Sequence, residues 1–216
     1  MRNEFDLSLY LVTDRGLSLG RSLKEVLEKA LKGGVSMVQI REKEASTREF
    51  IMEVLDIKVL LKRYNVPLII NDRVDVALAT DADGVHLGQN DMPWQIARRL
   101  LGADKIIGLS IESADQIEEA NAADIDYIGI SPVFTTPTKK ELAKGLGLEE
   151  TTRIAKLSRH PAVAIGGIKP ENAGEVLQTG VDGISVVSAI CSAPEPEKAS
   201  RELLEIIKNI KAHEKI

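Results

Sequence analysis

The residues best suited to chemistry lie in short segments that follow apolar runs. In Gln39-Ile40-Arg41-Glu42-Lys43 an amide, a guanidinium and an ammonium alternate. In extended chain these three point the same way. Such a set suits oxyanions, because arginine can bind two oxygens at once; a solvated charged loop would have the same composition. Asn71-Asp72 and Gly88-Gln89-Asn90-Asp91 add amides and carboxylates. Oxygen ligands of this kind suit Mg2+, which keeps some waters when it bridges a phosphate. Taken singly, Asn71-Asp72 reads equally as a turn, and Asp91, just before Met92-Pro93, as a helix cap. Ser110 alone reads as a cap or a turn. The segment 131–140 carries Thr136, Thr138 and Lys139 and is long enough to act as a lid. Its hydroxyls and backbone N–H groups can hold a phosphate that a lysine neutralises; its plain reading is a Thr/Pro-rich surface loop. Gly166-Gly167-Ile168 and, some twenty residues on, Val187-Ser188-Ala189-Ile190 form a fairly specific phosphate-type pair. Backbone N–H groups face the anion there, and glycine allows close approach.

Three other residues invite a role and are not given one. His86, between Val85 and Leu87, reads as a satisfied core histidine. Trp94 reads as packing at a helix start. Cys191, the only cysteine, follows an apolar strand end with no histidine near it in sequence. It is not a nucleophile on this reading.

The elements that must position these residues recur along the whole chain. Eight β-rich apolar runs occupy 9–12, 35–40, 66–70, 84–87, 105–109, 127–130, 162–165 and 183–187. Most are nearly continuous rather than alternating, as parallel strands buried on both faces are. Helical patterns cover 22–31, with Ser22 as its cap, then 47–61, 171–178 and 198–210. Gly33-Gly34 and Gly180 stand where helices stop. Strands alternating with helices leave an open doubly wound sheet or a closed barrel. The even spacing favours the barrel, and 216 residues fits its compact end. The expected fold is therefore α/β, one (β/α)8 TIM barrel spanning residues 1–216. A barrel enzyme carries its chemistry at the C-terminal ends of its strands, which is where all the segments above fall.

Composition narrows the setting. Hydrophobic residues make up 44% and charged residues 28%, ordinary for a globular protein. A formal charge of −5 argues against a nucleic-acid partner. It leaves room for anionic small molecules, since a few local cations outweigh a weak global field. No apolar run has the length of a membrane span, and Met1 to Asp6 is not an apolar signal region. The expectation is a cytoplasmic protein with no membrane and no nucleic-acid partner, compatible with a homo-oligomer. A lone cysteine excludes an internal disulfide and a multi-thiolate zinc site.

Read in order, the strand-end segments resemble thiamine-phosphate synthases. The segments are 9–14, 38–43, 70–75, 82–91, 108–110, Thr136-Pro137-Thr138-Lys139, 164–168 and 187–190, so the resemblance covers nearly the whole chain. It implies an Mg2+-dependent transferase joining hydroxymethylpyrimidine diphosphate to hydroxyethylthiazole phosphate. By that resemblance Gln39, Arg41 and Lys43 hold the diphosphate, with Asn71 on the same substrate and Lys139 reaching the diphosphate. Asp72 and Asp91 bind Mg2+. Ser110 hydrogen-bonds the aminopyrimidine. Thr136, Thr138, Gly167, Val187 and Ser188 hold the thiazole phosphate. Arg41, Lys43, Ser110 and Lys139 form the catalytic set. Glu141 stands where the family pattern has an aspartate and is assigned no role.

Two relatives of that reading remain in view. One is a thiazole tautomerase of the same barrel family, which has no diphosphate to ionise and so no use for Asn71-Asp72, Asp91 and the Thr136–Lys139 element. The other is an inactive regulatory barrel that keeps phosphate sites. A barrel isomerase would need a general acid/base pair, and none is found in order here.

Overall fold

A computed structural model describes residues 5–135 and 145–213. Eight parallel strands close into a barrel in sequence order, with the last pairing back to the first. They are β1 (Leu9–Val12), β2 (Met37–Ile40), β3 (Leu68–Asn71), β4 (Gly84–Leu87), β5 (Ile106–Ile111), β6 (Tyr127–Ile130), β7 (Ala162–Ile165) and β8 (Gly183–Val186). The helices between and after them are α1 (Leu23–Lys32), α2 (Thr47–Tyr64), α3 (Val74–Thr80), α4 (Trp94–Leu101), α5 (Ile117–Ala122), α6 (Gly147–Leu157), α7 (Pro170–Leu177), the short α8 (Ser188–Cys191) and α9 (Pro196–His213). No helix of the described residues is long and apolar enough to cross a membrane.

The continuous apolar runs have a direct cause. Each strand buries both faces, but against different partners. Outward residues such as Leu9, Leu11, Val38, Ile40, Leu68, Ile70 and Val85 join the helices in one large core. Inward residues Tyr10, Met37, Ile69, Ile106, Tyr127 and Val163 form a second cluster, with Leu7. This second cluster fills the lower barrel. One step nearer the C-terminal ends the inward positions turn polar, with Gln39, Asn71, His86, Ser110 and Ser185. That change from apolar to polar marks where packing ends and the site begins.

Local signals fix several helix starts. Ser22 accepts from the Glu25 N–H at the head of α1, and Ser46 and Glu49 form a reciprocal capping box on α2. Pro170 opens α7. Gly34 and Gly180 have positive φ at the helix stops. The strands start or end one or two residues from the apolar runs, because ladder pairing sets their limits; Val187 thereby falls just outside β8. Helices α3 to α6 lie where sequence periodicity marks none.

Candidate functional site

The C-terminal strand ends surround one cavity of about 690 Å3. Gln39, Arg41, Lys43, Asn71, Asp72, Asp91, Ser110, Gly167, Val187 and Ser188 all line it. Thr136, Thr138 and Lys139, with Glu141, lie outside the described residues.

On the β2 side, the Arg41 N–H donates to Thr13 Oγ1 at 3.1 Å, which ties the strand end to the loop after β1. The Arg41 guanidinium faces Asp14 at 3.5 Å. Lys43 donates to the Asp72 carboxylate. Gln39 sits deeper, nearly buried, and donates to the Tyr10 hydroxyl at 2.8 Å. The alternation thus puts Arg41 and Lys43 at the rim and Gln39 inside the barrel.

Both acidic positions turn into the mouth. Asn71-Asp72 does form a turn, with the Val74 N–H donating to the Asp72 carbonyl at 3.1 Å and Asp72 at φ 60. The turn aims the Asp72 carboxylate at Lys43 and Asp91. Asp91 does not cap α4, whose first turn follows Pro93 without a side-chain cap. It accepts instead from the Gly88 N–H at 2.7 Å, closing its own loop. Burial alone would raise the Asp72 pKa, but the Lys43 hydrogen bond and the Asp91 contact bring it below the ordinary value. Burial and then the contact with Asp72 raise that of Asp91. Asp72 therefore gives up its proton more readily than Asp91 does. Among the described residues no three histidine, cysteine, aspartate or glutamate side chains cluster as a metal site. Two carboxylates do fit Mg2+, which is commonly held by one or two carboxylates plus substrate phosphates and water.

The β7–β8 side is built from backbone. Gly166 and Gly167 have φ 113 and 66. The segment after β6 lies directly on them, with the Val133 N–H donating to the Ile165 carbonyl at 2.9 Å and the Phe134 N–H to Gly166 at 3.1 Å. A Cβ on Gly166 would stand 2.7 Å from Pro132 Cβ, so glycine is required by space as well as by φ. Val187 and Ser188 begin α8 beside it. Ser185, two residues earlier and facing the same cavity, is buried with no hydrogen-bond partner for its hydroxyl among the described residues.

His86 is hydrogen-bonded, as a satisfied core histidine is, but its place is inside the barrel. Its Nε2 lies 2.9 Å from Ser110 Oγ and its Nδ1 2.9 Å from the Tyr127 hydroxyl. No local pattern marks Tyr10 and Tyr127 as part of this site; both read as apolar strand residues. Trp94 opens α4 and packs against the core. Cys191 is buried, and burial pushes its thiol up to about 11, which agrees with an inert role.

The fold and this mouth define a (β/α)8-barrel enzyme with cations and carboxylates on one arc and glycine backbone on the other. Residues 9–190 match the family model of thiamine monophosphate synthase. The chain is 51% identical over 201 residues to the thiamine-phosphate synthase of Syntrophomonas wolfei, covering 93% of this chain and 96% of that one. Against the thiamine-phosphate synthase of Vibrio parahaemolyticus it is 53% identical over 199 residues, covering 92% and 97%. The thiamine phosphate pyrophosphorylase structure from Pyrococcus furiosus superposes with a TM-score of 0.87 at 42% identity, covering 94% and 96%. The chain belongs to the thiamine monophosphate synthase family.

Proposed function

We infer that the chain is a thiamine-phosphate synthase, a transferase that joins hydroxymethylpyrimidine diphosphate to hydroxyethylthiazole phosphate and releases diphosphate. Relatives about half identical over nine-tenths of the chain carry that name. The observation that favours coupling over isomerisation is the Asp72–Asp91 pair beneath Lys43 and near Arg41. A tautomerase binds no diphosphate and has no need of that set.

The assigned roles follow the two arcs. Arg41 and Lys43 receive the diphosphate, and Lys139 is assigned to the same group. Asp72 and Asp91 would hold Mg2+, which when bound adds positive charge against the departing diphosphate. Asn71 contacts the same substrate and Ser110 the pyrimidine ring. Gly167, Val187 and Ser188, with Thr136 and Thr138, hold the thiazole phosphate.

Coupling breaks the C–O bond to diphosphate and leaves a pyrimidine-methyl cation, which the thiazole nitrogen attacks. The bonding pair of the broken bond goes to diphosphate, so negative charge grows where Arg41 and Lys43 stand. At an effective dielectric near 20, one unit pair about 4 Å apart is worth roughly 4 kcal/mol. Several such groups, set in place before reaction, lower the barrier without a covalent nucleophile. Opposite arcs hold the two substrates, so the barrel mouth aligns the nitrogen with the carbon. We further propose that residues 1–216 form one domain. Two phosphorylated substrates, which do not cross membranes unaided, place the enzyme in the cytoplasm. Homo-oligomerisation is compatible with this reading.

The test is diphosphate release by the purified protein with both substrates and Mg2+, omitting each in turn. Release that needs all three, matched by thiamine phosphate formed, is the expected result. A folded protein that binds thiazole phosphate and releases no diphosphate would sink the synthase reading.

A further inference from the structure

The loop that carries Arg41 and Lys43 is held from outside the cavity. Strand alternation sends Gln39, Arg41 and Lys43 to the barrel side and Ile40 and Glu42 to the other. Ile40 joins the outer core. The Glu42 side chain is only 9% exposed, and both of its oxygens are in use. Oε1 accepts from the Glu44 N–H at 2.9 Å and the Ala45 N–H at 3.3 Å. Oε2 accepts from Arg15 Nε at 3.0 Å. The Ser46 N–H donates to Glu49 at 2.9 Å. The N–H groups between Lys43 and α2 therefore all end on carboxylates.

Arg15 does more than meet Glu42. Its Nη2 donates to both oxygens of Glu53 in α2, at 2.9 Å each. One planar guanidinium thus spans the loop after β2 and the second turn of α2. The residues just before it act on Arg41. Thr13 Oγ1 accepts from the Arg41 N–H at 3.1 Å, and the Thr13 N–H donates to the Gln39 carbonyl at 2.9 Å. Asp14 faces the Arg41 guanidinium at 3.5 Å. Thr13, Asp14 and Arg15 thus engage residues 39, 41 and 42 in step, and the β1–β2 pairing continues past the strand ends through side chains. Arg15 is 61% exposed, and ion pairs open to water add little to stability. What the guanidinium fork adds is direction. It fixes one placement of the loop, with Arg41 and Lys43 over the cavity before any anion arrives. Preset cations stabilise developing charge best, because no reorganisation is left for the moment of reaction.

We propose that Arg15 and Glu42 are positioning residues that preset Arg41 and Lys43 for the diphosphate, with Glu53 as their anchor on α2. Neither Arg15 nor Glu42 lines the central cavity, so both act through the loop and not on the substrate. The inference rests on the functional reading above, in which Arg41 and Lys43 receive the diphosphate.

The test compares Arg15→Ala, Glu42→Gln and the double variant with the wild type. Glutamine keeps an acceptor for the loop N–H groups but turns a donor toward Arg15. Arg201→Ala is the control, since Arg201 is equally exposed, pairs with Glu197 on α9 and lines no part of the cavity. In Arg15→Ala, kcat/KM for the pyrimidine diphosphate should fall by about tenfold or more. Affinity for inorganic diphosphate with Mg2+, read by calorimetry, should fall with it. Affinity for hydroxyethylthiazole phosphate should stay within about twofold and the melting temperature within about 3 °C, because the pair itself is exposed. The double variant should be no worse than the worse single one, since both cut the same link. The control should match the wild type. Unchanged diphosphate affinity and turnover in Arg15→Ala overturn the proposal. So does a loss that falls equally on the thiazole phosphate, or losses that add in the double variant. A wild type that binds no diphosphate removes the functional reading and the proposal together, whereas unchanged variants of a wild type that binds it remove the proposal alone.

Discussion

The two arcs of the barrel mouth bind by different means. The β2–β4 arc presents side-chain charge: Arg41 opposite Asp14, and Lys43 on Asp72 with Asp91 beside it. The β7–β8 arc presents backbone, with Gly166 and Gly167 held at positive φ under the segment that follows β6. A charged arc is tuned by single side chains and answers strongly to their loss. A backbone arc depends on conformation and should ignore most side-chain changes while failing at the glycines. The division fits the chemistry proposed, because charge develops on the departing diphosphate, whereas the thiazole phosphate only has to be held.

The largest expected effect is therefore at Asp72. Asn tolerates the left-handed conformation that Asp72 adopts at φ 60, whereas Ala there would add about 1 kcal/mol of backbone strain. Asp72→Asn should lower Mg2+-dependent turnover by on the order of 10²–10³-fold with little change in melting temperature. Full activity in that variant would remove the proposed metal role and, with it, the contrast between the arcs.

Lys139 is the next test, because its assigned partner is the diphosphate. Lys139→Ala should lower kcat by about 10²-fold and weaken thiazole-phosphate binding far less. Equal losses in both would place Lys139 on the backbone arc's phosphate.

A third variant turns to the backbone arc itself. Gly166→Ala adds a methyl 2.7 Å from Pro132 Cβ at φ 113. About 1–3 kcal/mol of destabilisation is expected, read as roughly 2–4 °C of melting temperature per kcal/mol. A variant as stable as the parent would show that this arc is not conformationally fixed. The smallest effect belongs to Ser188→Ala. If backbone carries the arc, losing one hydroxyl should weaken thiazole-phosphate affinity by less than about tenfold. A larger loss, measured by calorimetry, would make this arc a side-chain site like the other.

The two arcs also differ in how much of them can be read from sequence. Arg41, Lys43, Asp72 and Asp91 stand directly after apolar runs, and in a barrel that position alone brings them to one mouth. The glycine pair after β7 is legible for the same reason. The assignment of Asp91 between helix cap and mouth was not, because both uses need the same residue type; the Gly88 N–H settles it by drawing the carboxylate back into its own loop. Short helices such as α3 and α5 carry too few turns for a 3.6-residue period to stand out.

Sequence by itself determined the eight strands and the residues that follow them, since each depends on a local pattern repeated along the chain; it favoured a closed barrel over an open sheet, and the pairing of β8 with β1 decides for closure. Only the tertiary structure decided what lies beneath the rim. In strands buried on both faces, nothing in the pattern says which apolar or aromatic residue faces the helices and which faces the barrel axis. Tyr10 and Tyr127 are separated by 117 positions, and His86 reads as one more core residue of β4. Closing the barrel turns all three inward and makes them neighbours, because parallel register across eight strands, not nearness in sequence, sets what meets at its centre.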